Sequence, residues 1–98
     1  MSITTKCIVI EIGSVYIRAG FGGESSPRCF IRNAINLVET TDRKELEIQL
    51  HEVLHEIFIE RLNIKPKNYS VLFVEKFLGT MILRDCVLTL LLKDFQVN

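Results

Sequence analysis

The spacing of apolar side chains changes twice along the chain, and each change marks a different kind of element. The first third reads as short strands. Cys7 to Ile12 is an apolar run broken by one acid, Glu11; a Gly13-Ser14 turn follows, and Val15 to Ile17 leads through Arg18 into Ala19-Gly20-Phe21-Gly22-Gly23. β-Branched and aromatic residues flank a small-residue turn, which predicts a β-hairpin with glycine supplying the positive φ that a two-residue loop demands. Cys29-Phe30-Ile31 after Pro27 offers a third strand, so strands are expected over about 6–12, 15–21 and 28–32.

From residue 42 the period becomes helical. Leu46, Leu50, Val53, Leu54, Ile57, Phe58 and Leu62 recur at steps of three and four. With Asp42 or Thr41 as N-cap, they predict a helix over about 42–62. It ends before the Lys65-Pro66-Lys67-Asn68 connector, because proline has no N–H to donate to a helix. Ser70 to Glu75 is then a continuous apolar run, a strand over about 70–76 of the kind covered on both faces, expected beside the first strand in parallel. Gly79-Thr80 opens a second helix over about 80–94 whose polar stripe is only Asp85, Thr89 and Lys93, so it must be buried nearly all round, which this chain cannot do alone. The order β-β-β-α-β-α predicts an α/β fold on a mixed sheet.

Composition narrows the function classes. At 98 residues the chain is at most one small domain, which buries only about 60–65% of the surface its unfolded form exposes. Its hydrophobic content of 48% therefore predicts apolar surface meant for a neighbour. Zero net charge gives no global field for nucleic acid or an anionic membrane. The charge is uneven, however: residues 34–62 hold seven acids against three bases, an acidity that belongs to one helix. Cys7, Cys29 and Cys86 lack C-x-x-C spacing and sit in apolar runs, as buried free thiols of a reducing compartment do. No apolar run approaches the roughly 20 residues of a membrane span, and Glu11 interrupts the only candidate leader, so an intracellular soluble protein is expected.

Candidate chemistry is sparse in the helices. Glu52, Glu56 and Glu60 form an acidic line at four-residue spacing that a basic partner would relieve, although a solvated outer face is the simpler reading. His51 and His55 have the spacing of a two-histidine metal site but no evident third ligand, and read as surface histidines. A two-metal nuclease needs a carboxylate cluster, whereas only Glu11, with Glu75 at a strand end, approaches that arrangement.

The hairpin carries the more specific signal, because the N–H groups of a small-residue turn can converge on an anion. Glu11, Gly13, Ser14, Val15, Arg18, Ala19, Gly20, Phe21, Gly23, Glu24, Pro27 and Arg28 resemble the opening phosphate-loop signature of the actin family, Asp-x-Gly-Ser-Gly-x-x-Lys-Ala-Gly-Phe-x-Gly-acid-x-x-Pro-Arg. The resemblance covers the whole chain, strongest here and weaker over residues 42–98. Within the family it points to the divergent actin-related members at the pointed end of dynactin, which share a stretch like Leu62-Asn63-Ile64-Lys65-Pro66. It implies the ribonuclease-H-like half of an actin-like ATPase fold, β-β-β-α-β-α with the final strand missing, in an N-terminal portion or truncated form.

The function so implied is a non-catalytic scaffold of the cytoplasm and cytoskeleton, with dynactin subunits (the actin-like filament and pointed-end proteins) as partners. The alternative is an ATP-binding actin-like protein with a nucleotide-dependent conformational role. In a full-length form the resemblance implies ATP or ADP with Mg at a degenerate phosphate loop of Glu11, Gly13, Ser14, Val15 and Arg18. Three departures weaken that loop. Glu11 adds a methylene to the family's Asp, Val15 brings a Cβ where the second loop glycine stands, and Arg18 replaces a compact ammonium with a planar fork. No catalytic residue and no metal ligand is expected.

Overall fold

The computed structural model describes residues 6–33, 35, 42–75 and 81–97. Strands β1 (Cys7–Ile12), β2 (Tyr16–Phe21), β3 (Cys29–Arg32) and β4 (Ser70–Glu75) form one mixed sheet in the order β3-β2-β1-β4. β2 runs antiparallel to β1 and β3, and β4 lies parallel to β1, where the apolar pattern places it. Helices α1 (Arg43–His55) and α2 (Met81–Thr89) each continue as a π-helical turn, Glu56–Arg61 and Leu90–Asp94. The α/β class is therefore as expected from the sequence. The expected helix start at Gly79-Thr80, the alternative cap Thr41 and most of the connector after β3 fall outside the described residues.

Side chains alternate across a strand, and register carries that alternation through the sheet. Ile8, Ile10 and Ile12 of β1 are fully buried. Ile10 stands opposite Ala19 and Phe73, and Ile12 opposite Ile17. Leu46, Leu50 and Leu54, spaced one helical turn apart on α1, meet this face together with Leu83, Cys86, Val87, Leu90 and Leu91. Both helices thus feed one core and cover one face of the sheet.

With one face covered, two apolar elements that would be buried all round in a larger domain are left half covered. Among the described residues β4 is an edge strand with one face open, and Leu72 is 55% exposed. Among the described residues α2 and the turn that continues it are likewise covered on one side, leaving Leu88 and Leu92 exposed. An apolar run reports the capacity to be covered, whereas the covering needs an element on each side.

Local chemistry sets the helix ends. The Asp42 carboxylate accepts from the Lys44 amide at 3.0 Å, as an N-cap does. At the other end the Leu62 amide donates to the Ile57 carbonyl and the Ile64 amide to that of Phe58, around Asn63 at φ 52°. The second helix closes in the same way, with Phe95 donating to Leu90 and Val97 to Leu91 around Gln96 at φ 53°. Each closure turns an apolar residue, Ile64 or Val97, back onto the core. Phe58 meets Phe95 edge-on at 5.3 Å, joining the two ends.

Candidate functional site

The corner of the β1–β2 hairpin is Ser14-Val15, closed by the Gly13 amide donating to the Tyr16 carbonyl at 2.9 Å. None of Gly13, Ser14 and Val15 has a positive φ. This corrects the expected Gly13-Ser14 corner and the expected reason for its glycine. Gly13 is needed for space, since a Cβ there would stand 3.0 Å from the Tyr16 carbonyl oxygen. Asn33, just past β3, then locks the corner: its side chain donates to the Gly13 carbonyl at 2.7 Å and its amide to the Val15 carbonyl at 2.7 Å. The Gly13 N–H is thereby turned into the hairpin.

The two charged residues of the same stretch sit elsewhere. Glu11 and Arg18 are direct partners in the β1–β2 register, so both stand on the open face of the sheet. Arg18 Nη1 lies 3.3 Å from Glu11 Oε1, and its guanidinium rests 5.3 Å from the centre of the Phe30 ring. Phe30 in turn stacks on Tyr16 at 4.6 Å. Glu11 and Arg18 line a cavity of about 380 Å³ whose floor includes Val9 and Gly20 and whose wall is the 22–27 loop. Gly13, Ser14 and Val15 are not among its lining residues. Of the five predicted loop residues, the fold therefore brings two together and binds the other three into the corner.

Sequence reasoning missed the loop that forms the wall, although its signal was present in the Ala19-to-Arg28 tail of the motif. Gly20 lets the chain return close overhead: a Cβ there would meet Pro27 Cα at 3.1 Å and Arg28 N at 3.2 Å. Arg28 N donates to the Ala19 carbonyl at 3.0 Å, Gly22 N to that of Cys7 at 2.8 Å, and Gly23 takes φ 88°. Arg28 then closes the loop with two bonds to Glu24, at 2.9 and 2.8 Å, while stacked over Phe21 at 5.2 Å. These bonds hold the Glu24 carboxyl below its ordinary value and raise that of Arg28. The motif residues are thus accounted for as a clasp over the sheet.

The remaining candidates are dispersed. Glu75 is in register with Ile12, one place beyond Glu11. His51 lies 3.8 Å from Asp94 and stacks on Phe95, and His55 is exposed on α1. Among the described residues no group of three or more His, Cys, Asp or Glu is placed to hold a metal ion. Cys29 and Cys86 are buried free thiols, whereas Cys7 is only half-buried. None of the described helices is long and apolar enough to cross a membrane. No protein-family model matches the chain.

Proposed function

We propose that the chain is the N-terminal α/β part of a non-catalytic actin-related scaffold subunit, of the kind represented by actin-related protein ten (also called eleven) at the pointed end of dynactin. Its partners are then the actin-like filament and pointed-end proteins of that assembly, in the cytoplasm. The observation that carries the reading is the Glu11–Arg18 pair. The two charged side chains that the family's loop directs toward a nucleotide and its metal are here closed on each other, and the Gly13 amide is closed onto Tyr16. This arrangement supports the scaffold reading over a phosphate cradle. A phosphate reaching Arg18 would lie beside the Glu11 carboxylate, a like charge.

The clasp supports the same reading, because Gly20, Gly23, Glu24, Pro27 and Arg28 are all used to build a surface. Calorimetric titration with ATP and Mg, together with co-sedimentation with dynactin pointed-end proteins, tests it. Association without measurable ATP heat is the expected pair of results. Micromolar ATP binding abolished by Arg18→Ala, or failure to associate with any pointed-end protein, would replace this reading with the ATP-binding one or remove it.

A further inference from the structure

We propose that the outward groove between α1 and α2 docks a basic amphipathic helix of a partner protein. The groove belongs to the helical layer, across the sheet from Glu11 and Arg18, so it goes beyond the scaffold reading and does not depend on it. The helices lie side by side, joined by Arg43 to Asp85 at 3.5 Å and His51 to Asp94 at 3.8 Å. Between these ties a cavity of about 480 Å³ opens outward, with buried Leu90 on its floor and Ile48 and His51 on the α1 side.

Ile48 is the exposed aliphatic residue of the lining, and three others stand elsewhere on the helical layer. Ile48 is 62% exposed and Ile59 is 43% exposed. Ile48 belongs to α1 and Ile59 to the π-helical turn that continues it. Leu88 of α2 and Leu92 of the π-helical turn that continues it are exposed as well, outside the lining of the groove. Four large aliphatic side chains are therefore presented by one layer, and an apolar surface of this kind on a small domain marks an interaction site. A third helix laid along the groove would set its own apolar ridge between the two existing ones, the way helices pack in general.

Charge complementarity identifies the occupant. The groove is lined by Glu47, Glu52 and Asp94 against Lys44. Arg43 and Arg61 are already engaged within the chain, Arg43 holding Glu47 at 2.9 Å and Arg61 holding Glu56 at 3.1 Å, which leaves Lys44 as the base of the lining. Glu52 and Glu60 have no ion-pair partner among the described residues. A partner's cations would answer the excess of acid over base in the lining, beside an apolar ridge that meets Ile48. The same acidity repels an anionic membrane and nucleic acid.

The probe is a fluorescein-labelled synthetic helix of about five turns, with leucines at three- and four-residue spacing along one face and lysines flanking them. Its counterpart carries glutamate at every lysine. Anisotropy with the full chain should give binding to the lysine helix alone, weakened about tenfold when salt is raised from roughly 0.05 to 0.5 M. Glu52→Lys should weaken it by a similar factor and Ile48→Ser at least threefold. Both sites are exposed, so circular dichroism and melting should match the parent chain. Amide shift mapping should centre on Ile48, His51, Glu52 and Leu90. Equal binding of the glutamate helix, indifference to Glu52→Lys, shifts centred on Tyr16, Phe30 or Leu72 of the sheet, or capture of the chain by anionic phosphatidylserine vesicles would each overturn the proposal. Glu11→Gln should leave the helix binding unchanged, which separates its outcome from that of the nucleotide and dynactin experiments.

Discussion

Replacing Gly20 with alanine sets a methyl carbon 3.1 Å from Pro27 Cα and 3.2 Å from Arg28 N. Both are main-chain atoms, and Arg28 N is tied by its hydrogen bond to the Ala19 carbonyl, so the returning strand must shift as a unit. Forcing a packed segment aside costs about 1–3 kcal/mol, while alanine recovers roughly 0.5–1 kcal/mol of backbone entropy relative to glycine in a strand. The balance is a loss of about 1 kcal/mol, which for a domain of this size lowers Tm by roughly 4–8 °C.

Gly23 fails for a different reason, and the contrast makes the test sharper. Nothing lies within 4 Å of a Cβ built there, but its φ is +88°, a left-handed backbone that costs an L-residue about 1–2 kcal/mol. Asparagine tolerates that conformation better than alanine, so Gly23→Asn should melt above Gly23→Ala. At Gly20 the order should invert, because the larger side chain crowds Pro27 further. Melting of the four variants followed by circular dichroism decides it. A Gly20→Ala variant as stable as the parent would refute the close approach on which the clasp rests, and the same Ala/Asn order at both sites would refute the distinction between crowding and strain.

Three further outcomes are expected. Asp42→Ala removes the N-cap that accepts from the Lys44 amide and should cost about 1 kcal/mol, with Asp42→Asn close to the parent, as read from urea denaturation. Phe58→Ala empties a fully buried site that also meets Phe95 and should cost about 3–5 kcal/mol; a loss below roughly 1 kcal/mol would contradict the core described here. Burial raises the thiols of Cys29 and Cys86 above their ordinary value of 9.0, partly opposed by Arg61 and Arg43 respectively. The unfolded chain therefore ionises first. Their contribution is full below pH 9.0 and is lost as pH rises from there through the raised folded values, so stability should fall more steeply on the alkaline side in the parent than in Cys29→Ala/Cys86→Ala.

Much of the architecture was legible because it depends on residues close in sequence. The one-turn spacing of Leu46, Leu50 and Leu54, the Asp42 cap and the alternation of Ile8, Ile10 and Ile12 each express a local rule, and the strand and helix positions followed from them. The placement of β4 beside β1 was readable too, from the helix that separates them. The candidate site depended on something the residues do not announce, the corner of the hairpin. Turning at Gly13-Ser14 would make paired positions sum to 27 and set Glu11 opposite Tyr16, whereas turning at Ser14-Val15 makes them sum to 29 and sets it opposite Arg18.

Asn33, twenty residues from Gly13, holds that second corner. A contact so far along the chain has no period to reveal it. The same holds for Pro27 lying over Gly20, which turns a run of glycines and a proline into the wall of a cavity. Which faces are covered was likewise a tertiary matter. The apolar runs of β4 and α2 fit burial on every side, but both helices pack on one face of the sheet, so Leu72, Leu88 and Leu92 remain in solvent. Periodicity along the chain thus determined which side chains can share a face, and only packing in three dimensions decided which of those faces found a partner.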